Sequence, residues 1–567
     1  MMAEVTSQSQ SLVNHVRKAA LLVLTTGFAL RLYLASGTFL NPDETLHFFI
    51  ANQSSLSQAY RESLTMAHPP LLIFFLYFWR NVGTSEFVLR LPFVVAGTGF
   101  CWLFFKWLNR LFGGMTALIG LTFAALIAPM ALLSVEVRQY ELLLFFAISG
   151  AYLLEDALQK RSAILMVFSA ACLYLALLSH YSAPLFVASL GAYALVRLIV
   201  DRQPIAVSMA WAAGQIGAIA LIGYLYFTHV SKIRTTTMAN QAIDSWLYKS
   251  YFHPGHGNVV VFILARTFSL FQFMLGQAII GDLAALAFVA GVVFLLRGKL
   301  SPPPSAPDPR LLALLLVLPF VMNCAAGLLA IYPYGGTRHC VYLAIFGLAG
   351  IALFIASLTN GRTIKAMAIT LALVAVCWAF RSIRHPYIYR VDQSRANIQQ
   401  ALNFIREKVP ASDLIFVDYE SGLELGHYLC EQKPITYDGS IPGFLVFNCD
   451  DHRIVSTIND LWAFDPQMFA EQWKRLIAAA GLRPDDQVWV VQAGWIVTLA
   501  DDLQKDAPDF RQIPVQRFGK NIQMFPLKAD SPIPSAIQPK PESRRNYFNA
   551  SSLAWAKRPT SPPGFSF

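Results

Sequence analysis

Long apolar stretches recur through the first 380 residues, and the segments between them alternate between two characters. One set is short and basic. The other gathers acids, histidines, arginines and tyrosines into compact clusters: Asn41-Pro42-Asp43-Glu44, His68-Pro69-Pro70, Glu136-Val137-Arg138-Gln139-Tyr140, His180-Tyr181 and Tyr332-Pro333-Tyr334-Gly335-Gly336-Thr337-Arg338-His339. A helix needs roughly 20 mostly apolar residues to cross a bilayer. A chain threaded through a bilayer by these stretches puts every polar cluster on the same face.

Composition agrees with such threading. Of 567 residues, 55% are hydrophobic and 14% charged, and the mean hydropathy is +0.48. Soluble domains carry about 25% charge. A soluble protein this apolar would need an outsized core, so the class is an integral membrane protein. Eleven spans are expected, at 19–37, 86–108, 115–133, 140–157, 162–179, 183–200, 205–227, 276–296, 311–330, 340–358 and 364–381. Alternate loops hold Arg17 and Lys18; Arg110; Lys160 and Arg161; Arg197 and Arg202; Arg297, Lys299 and Arg310; and Arg362 and Lys365. The positive-inside rule makes these loops cytoplasmic and accounts for the net charge of +10 without nucleic acid. The first apolar run has no cleavage site after it and reads as a span, not a signal peptide.

The first outer loop and the segment 228–275 contain apolar pieces ill-suited to spanning. Residues 71–79, after Pro69-Pro70, and residues 258–277 are expected as interfacial helices. After Arg381 the composition changes. Strands are expected at 414–418 and 488–492, and helices at 392–409 and 466–480. The expected organisation is a membrane domain at 1–384, a small extracytoplasmic α/β domain at 385–530 and a disordered Pro- and Ser-rich tail at 531–567. Five cysteines lie in or beside spans. Cys430 and Cys449 lie in the polar third, where an extracytoplasmic location permits a disulfide. No Cys-x-x-Cys pair suggests structural zinc.

The polar clusters carry the chemistry. Asn41 suits an N-cap, Pro42 the first helical turn, and Asp43 and Glu44 the positive end of a helix dipole. The same placement aims a carboxylate for use as a general base. His68 stands before a helix start. His180 and Tyr181 end a span, where Tyr often sits at an interface without function. Glu136 and Arg138 interrupt an apolar stretch, a costly position for ionisable groups that usually marks function. Arg338 follows a Tyr-Pro-Tyr-Gly-Gly turn, and an arginine can grip phosphate with two hydrogen bonds. Acids, histidines and arginines converging from several loops suit group transfer from an anionic, lipid-linked donor. A carboxylate takes the acceptor's proton, and arginines stabilise the phosphate leaving group.

At these residues the chain resembles the C-type membrane glycosyltransferases, in particular bacterial relatives of the protein mannosyltransferases and of the lipid A aminoarabinose transferase. The likeness spans about residues 15–385. It rests on Asp43-Glu44, His68-Pro69-Pro70-Leu71, Arg138-Gln139-Tyr140-Glu141-Leu142, His180-Tyr181 and Tyr332 to His339, in that order and on one side. The resemblance implies a polyprenyl-phosphate sugar donor, an extracytoplasmic site in a bacterial inner membrane and inversion at the anomeric carbon. It implies Asp43 as base with Glu44 supporting it. Arg138, Tyr140, Arg338 and His339 are the implied donor and phosphate contacts. His68, Glu136, His180, Tyr181, Tyr332 and Tyr334 are the implied pocket. A divalent ion serves some relatives and not others. The Val-Glu-Val-Arg-Gln-Tyr sequence lacks the proline that relatives often carry before the tyrosine. The implied partners are the lipid-linked donor, membrane lipids and a glycan, lipid or protein acceptor from the cell envelope, lipopolysaccharide included. The rival readings are a transporter or flippase of lipid-linked sugars, disfavoured by the absence of a visible repeat, and a catalytically silent assembly or receptor protein.

Overall fold

The structure, a computed structural model, describes residues 2–64, 66–233, 243, 246–255, 257–300, 302–360, 362–382, 393–432, 435–458, 464–506, 508–531 and 533. The tail expected to be disordered falls almost wholly outside them. Every stretch expected to span is helical. Among the described residues, seven helices are long and apolar enough to cross a membrane: His15–Ala35, Glu86–Phe112, Ala183–Val200, Ile205–Ile233, Ala278–Leu296, Pro309–Leu328 and Arg338–Leu358. Their outward faces stay apolar: Ile205, Ile219 and Phe227 are 70–76% exposed. Apolar side chains in such numbers belong against lipid.

Four expected spans fall short of that standard. Ala163–Ser179 and Thr363–Ala379 have 17 residues each. Tyr140–Lys160 carries Glu141, Glu155 and Asp156. The stretch expected at 115–133 is broken into Gly114–Leu126 and Ala128–Leu133. Ile127 between them is extended, and Pro129 starts the second piece. The break leaves carbonyls at the end of the first piece without helical partners. Buried Arg31 donates to Ala124 O at 3.0 Å and Ala125 O at 2.6 Å, and Trp378 Nε1 donates to Leu126 O at 2.7 Å. The broken span is therefore capped by neighbouring helices instead of being strained.

The two expected interfacial pieces are the helices Leu71–Trp79 and Val259–Leu275. The C-terminal region is a six-stranded mixed sheet in the order β2-β3-β1-β4-β6-β5. Its strands are β1 Leu414–Val417, β2 Phe444–Cys449, β3 His452–Thr457, β4 Gln487–Ala493, β5 Gln516–Arg517 and β6 Ile522–Lys528. β1 runs parallel to β3 and β4, with the helices Tyr419–Leu429 and Pro466–Ala480 among the connections. Cys430 and Cys449 form a disulfide that ties the end of the Tyr419 helix to β2.

This sheet region sits against the segment that precedes and forms the helix Pro42–Ala51. Phe39 N donates to Gln393 O and Arg395 N to Gly37 O, each at 3.1 Å. Tyr428 Oη accepts from Leu40 N at 2.7 Å and donates to Glu86 at 3.2 Å. His427 lies edge-on to Phe48 at 5.0 Å.

Candidate active site

The site is built on the helix Pro42–Ala51. Asn41 Oδ1 accepts from Glu44 N, and Glu44 Oε2 accepts from Asn41 N, both at 3.0 Å, which closes a capping box. Glu44 is fully buried. It pairs with Arg90, whose Nε reaches Oε1 at 2.8 Å and Nη2 reaches Oε2 at 2.6 Å. Val137 N donates to Glu44 Oε1 at 2.9 Å. Glu44 thus locks the helix start to the loop that carries Arg138. Both of its carboxylate oxygens are engaged by Arg90 and backbone N–H groups.

Asp43, one residue earlier on the helix, is 28% exposed. Its Oδ2 lies 2.6 Å from Arg138 Nη1 and 3.0 Å from Arg338 Nη1. Arg138 is held by a tight turn, its N–H donating to Glu136 O at 2.8 Å. Arg338 is delivered by the Gly335-Gly336 turn. A Cβ on Gly336 would meet Ser269 O at 2.4 Å, and Gly335 has φ +138°, so both positions favour glycine. Both guanidiniums stand beside the Tyr140 ring, at 5.6 and 5.7 Å from its centroid.

Four imidazoles complete the wall. The ring of His47 lies 5.4 Å from that of His68, His68 is 6.3 Å from His180, and His180 is 5.8 Å from His339, with interplanar angles of 23–28°. His68 Nδ1 contacts Gln139 Nε2 at 2.7 Å, and His180 Nδ1 contacts Ser182 Oγ at 2.8 Å. His47 Nδ1 contacts the Asp43 carbonyl. Neither His47 nor Arg90 was among the expected site residues. His47 was detectable as the residue four positions after Asp43 on one helix, and Arg90 as a lone arginine inside an apolar span.

Electrostatics divides the acids. Burial opposes ionisation of Asp43, but the Arg138 and Arg338 charges outweigh it and hold its carboxyl below the ordinary value. Burial, with Glu44 nearby, pushes Glu136 well above its ordinary value. Burial and the Arg138 charge bring His47 down to about 3, and the same causes hold His68 well below its usual range. At neutral pH the site therefore presents an ionised Asp43 and neutral imidazoles at positions 47 and 68, beside a Glu136 that holds its proton more tightly than a free carboxyl.

Two expected pocket residues lie elsewhere. Tyr334 is 2% exposed and shares a 2.7 Å hydrogen bond with Thr267. It supports the Arg338 turn from behind. Tyr181 pairs its hydroxyl with His229 instead of turning to Asp43. Tyr332 donates to His339 O at 3.4 Å and borders the site. Among the described residues, no three His, Cys, Asp or Glu side chains are gathered closely enough to hold a metal ion. Asp43 already faces two cations, so the residues do not fit a divalent ion.

The fold and site define a multi-pass membrane protein with a cleft that bears two arginines and a carboxylate. Residues 67–227 match the family model described as dolichyl-phosphate-mannose-protein mannosyltransferase. The match begins one residue before His68 and takes in Arg138, Tyr140 and His180. Among solved structures, ArnT from Cupriavidus metallidurans bound to undecaprenyl phosphate is 14% identical over 91% of this chain and 98% of that one, with a TM-score of 0.46. The oligosaccharyltransferase AglB from Archaeoglobus fulgidus, in complex with an inhibitory peptide and a dolichol-phosphate, is 11% identical over 83% of this chain and 69% of that one, with a TM-score of 0.44. No match was found among curated proteins.

Proposed function

We propose that the protein is an inverting glycosyltransferase that moves a sugar from a polyprenyl-phosphate donor to an acceptor in the cell envelope. The observation that carries this reading is the seat of Asp43, whose one carboxylate oxygen is shared by guanidiniums from two separate loops. Such a seat combines a base with a phosphate grip in one cleft. The family description matched by residues 67–227 names a lipid-phosphate sugar, which supports a donor of that chemistry here. The acceptor's hydroxyl oxygen attacks the anomeric carbon, and its proton passes to the Asp43 carboxylate. The bond from that carbon to the phosphate oxygen breaks, and polyprenyl phosphate leaves with the electron pair. Arg138 and Arg338 stabilise the charge that develops on it. Basic loops at the opposite helix ends support a site on the extracytoplasmic face of a bacterial inner membrane.

The test is mass spectrometry of envelope lipids, glycans and proteins from cells with the protein, without it, and with Asp43→Asn. A sugar-sized mass missing from one acceptor in both altered strains is the expected result. An unchanged glycan profile with lipid-linked intermediates redistributed across the membrane would replace this reading with the transporter.

A further inference from the structure

The phosphate grip of the site is already filled by the protein itself. Asp43 Oδ2 sits between Arg138 Nη1 and Arg338 Nη1, at 2.6 and 3.0 Å. An anionic oxygen shared by two guanidiniums is the contact that a donor phosphate oxygen would make. A carboxylate held this way is also a poor base, because two cations stabilise its ionised form. The candidate base and the donor therefore compete for the same pair of arginines.

We propose that Asp43 is an internal stand-in for the donor phosphate: it closes the Arg138–Arg338 seat at rest, and an incoming lipid phosphate displaces it and frees it to accept a proton. The inference rests on the functional reading above and adds an order of events, donor before acceptor. The local structure permits the exchange. Asp43 and Arg338 are 28% and 20% exposed, so a side-chain rotation suffices. The backbone beneath Asp43 is fixed by the capping box and by the buried Glu44–Arg90 pair, so the released carboxylate stays at the mouth of the cleft. Arg138 is only 3% exposed and keeps its place. Once a phosphate engages the arginines, the charges that outweigh burial at Asp43 are offset, and burial is left to raise its proton affinity, as a base requires.

A merely structural triad predicts the opposite response to mutation. Without Asp43, such a triad leaves two crowded cations and a disordered cleft, and phosphate binding weakens. The experiment uses the full chain in lipid nanodiscs with undecaprenyl phosphate as the probe and undecaprenol as its uncharged control. Dissociation constants and ligand-induced thermal shifts are compared for the wild type, Asp43→Asn and Arg338→Ala. Asp43→Asn should bind undecaprenyl phosphate about tenfold more tightly, within the usual range of coupling between sites. Arg338→Ala should bind it more weakly, and undecaprenol should not discriminate among the three. Unchanged or weaker phosphate binding by a folded Asp43→Asn protein overturns the stand-in. If that variant does not fold alone, recovery with undecaprenyl phosphate but not undecaprenol supports the proposal, and no recovery overturns it. Absence of phosphate-dependent binding in every protein, wild type included, would instead overturn the donor assignment on which the proposal rests.

Discussion

Two neighbouring acids on one helix turn have been given opposite surroundings. Glu44 is sealed and bonded on both oxygens to Arg90 and to backbone N–H groups. Asp43 hangs at the cleft mouth against Arg138 and Arg338. The first sets the position of the second. Breaking a buried ion pair by removing one partner typically costs about 3–5 kcal/mol, because the remaining charge stays buried. Arg90→Ala should therefore lower thermal stability in detergent sharply and take transfer activity with it. Glu44→Gln should be similarly costly, since the Arg90 charge stays buried without a counter-charge and the amide nitrogen faces the Arg90 and Asn41 donors. An Arg90→Ala protein that melts like the wild type would show that the pair does not anchor the helix.

At the scale of elements, the helix Tyr419–Leu429 has an unusual inner face. Glu420, Glu424 and His427 are buried on it, and Glu424 has no hydrogen-bond partner on either oxygen. Burial, reinforced by Glu420 and Asp418, raises Glu424 well above its ordinary value of 4.5. Such a carboxyl holds more protons folded than unfolded. Its contribution to stability is present in acid and is lost as pH rises from about 4.5 through its folded value. Glu424→Gln should flatten the alkaline part of the melting-temperature profile measured from about pH 5 to pH 9. An unchanged slope would mean that Glu424 ionises freely where it sits.

Elements also mark where sequence reading succeeds. The apolar periodicity placed the helices, and the expected helix ranges lie close to Arg395–Lys408 and Pro466–Ala480. The β2–β3 hairpin went unseen because its turn is made by Asp450 and Asp451, both at positive φ, without the Asn-Gly or Asp-Gly pair that usually marks such turns. The broken helix at Ile127 was hidden because its capping donors, Arg31 and Trp378, come from distant stretches of chain. In the site, Asp43, Arg138 and Arg338 were visible as polar residues misplaced among apolar ones. Tyr334 and Tyr181 looked equivalent to them in sequence, and only the fold separates a ring that faces the cleft from one that faces a neighbouring helix.

At the scale of the molecule, the C-terminal region reaches back to the Asp43 segment. Tyr428 bridges Leu40 N and Glu86. Tyr428→Phe strands the Leu40 N–H, a loss of about 1–3 kcal/mol for a buried donor. It should slow transfer at saturating donor while leaving undecaprenyl phosphate binding near wild type. Unchanged turnover would restrict that contact to stability.

The same bridge has a consequence in time. Leu40 and Tyr428 are 388 residues apart. At the usual pace of synthesis, about 5–20 residues per second, on the order of a minute separates their emergence from the ribosome. Throughout that interval the Leu40 segment lacks its Tyr428 partner. The contact that Tyr428 makes with the Leu40 segment can therefore form only once the last third of the chain has been made.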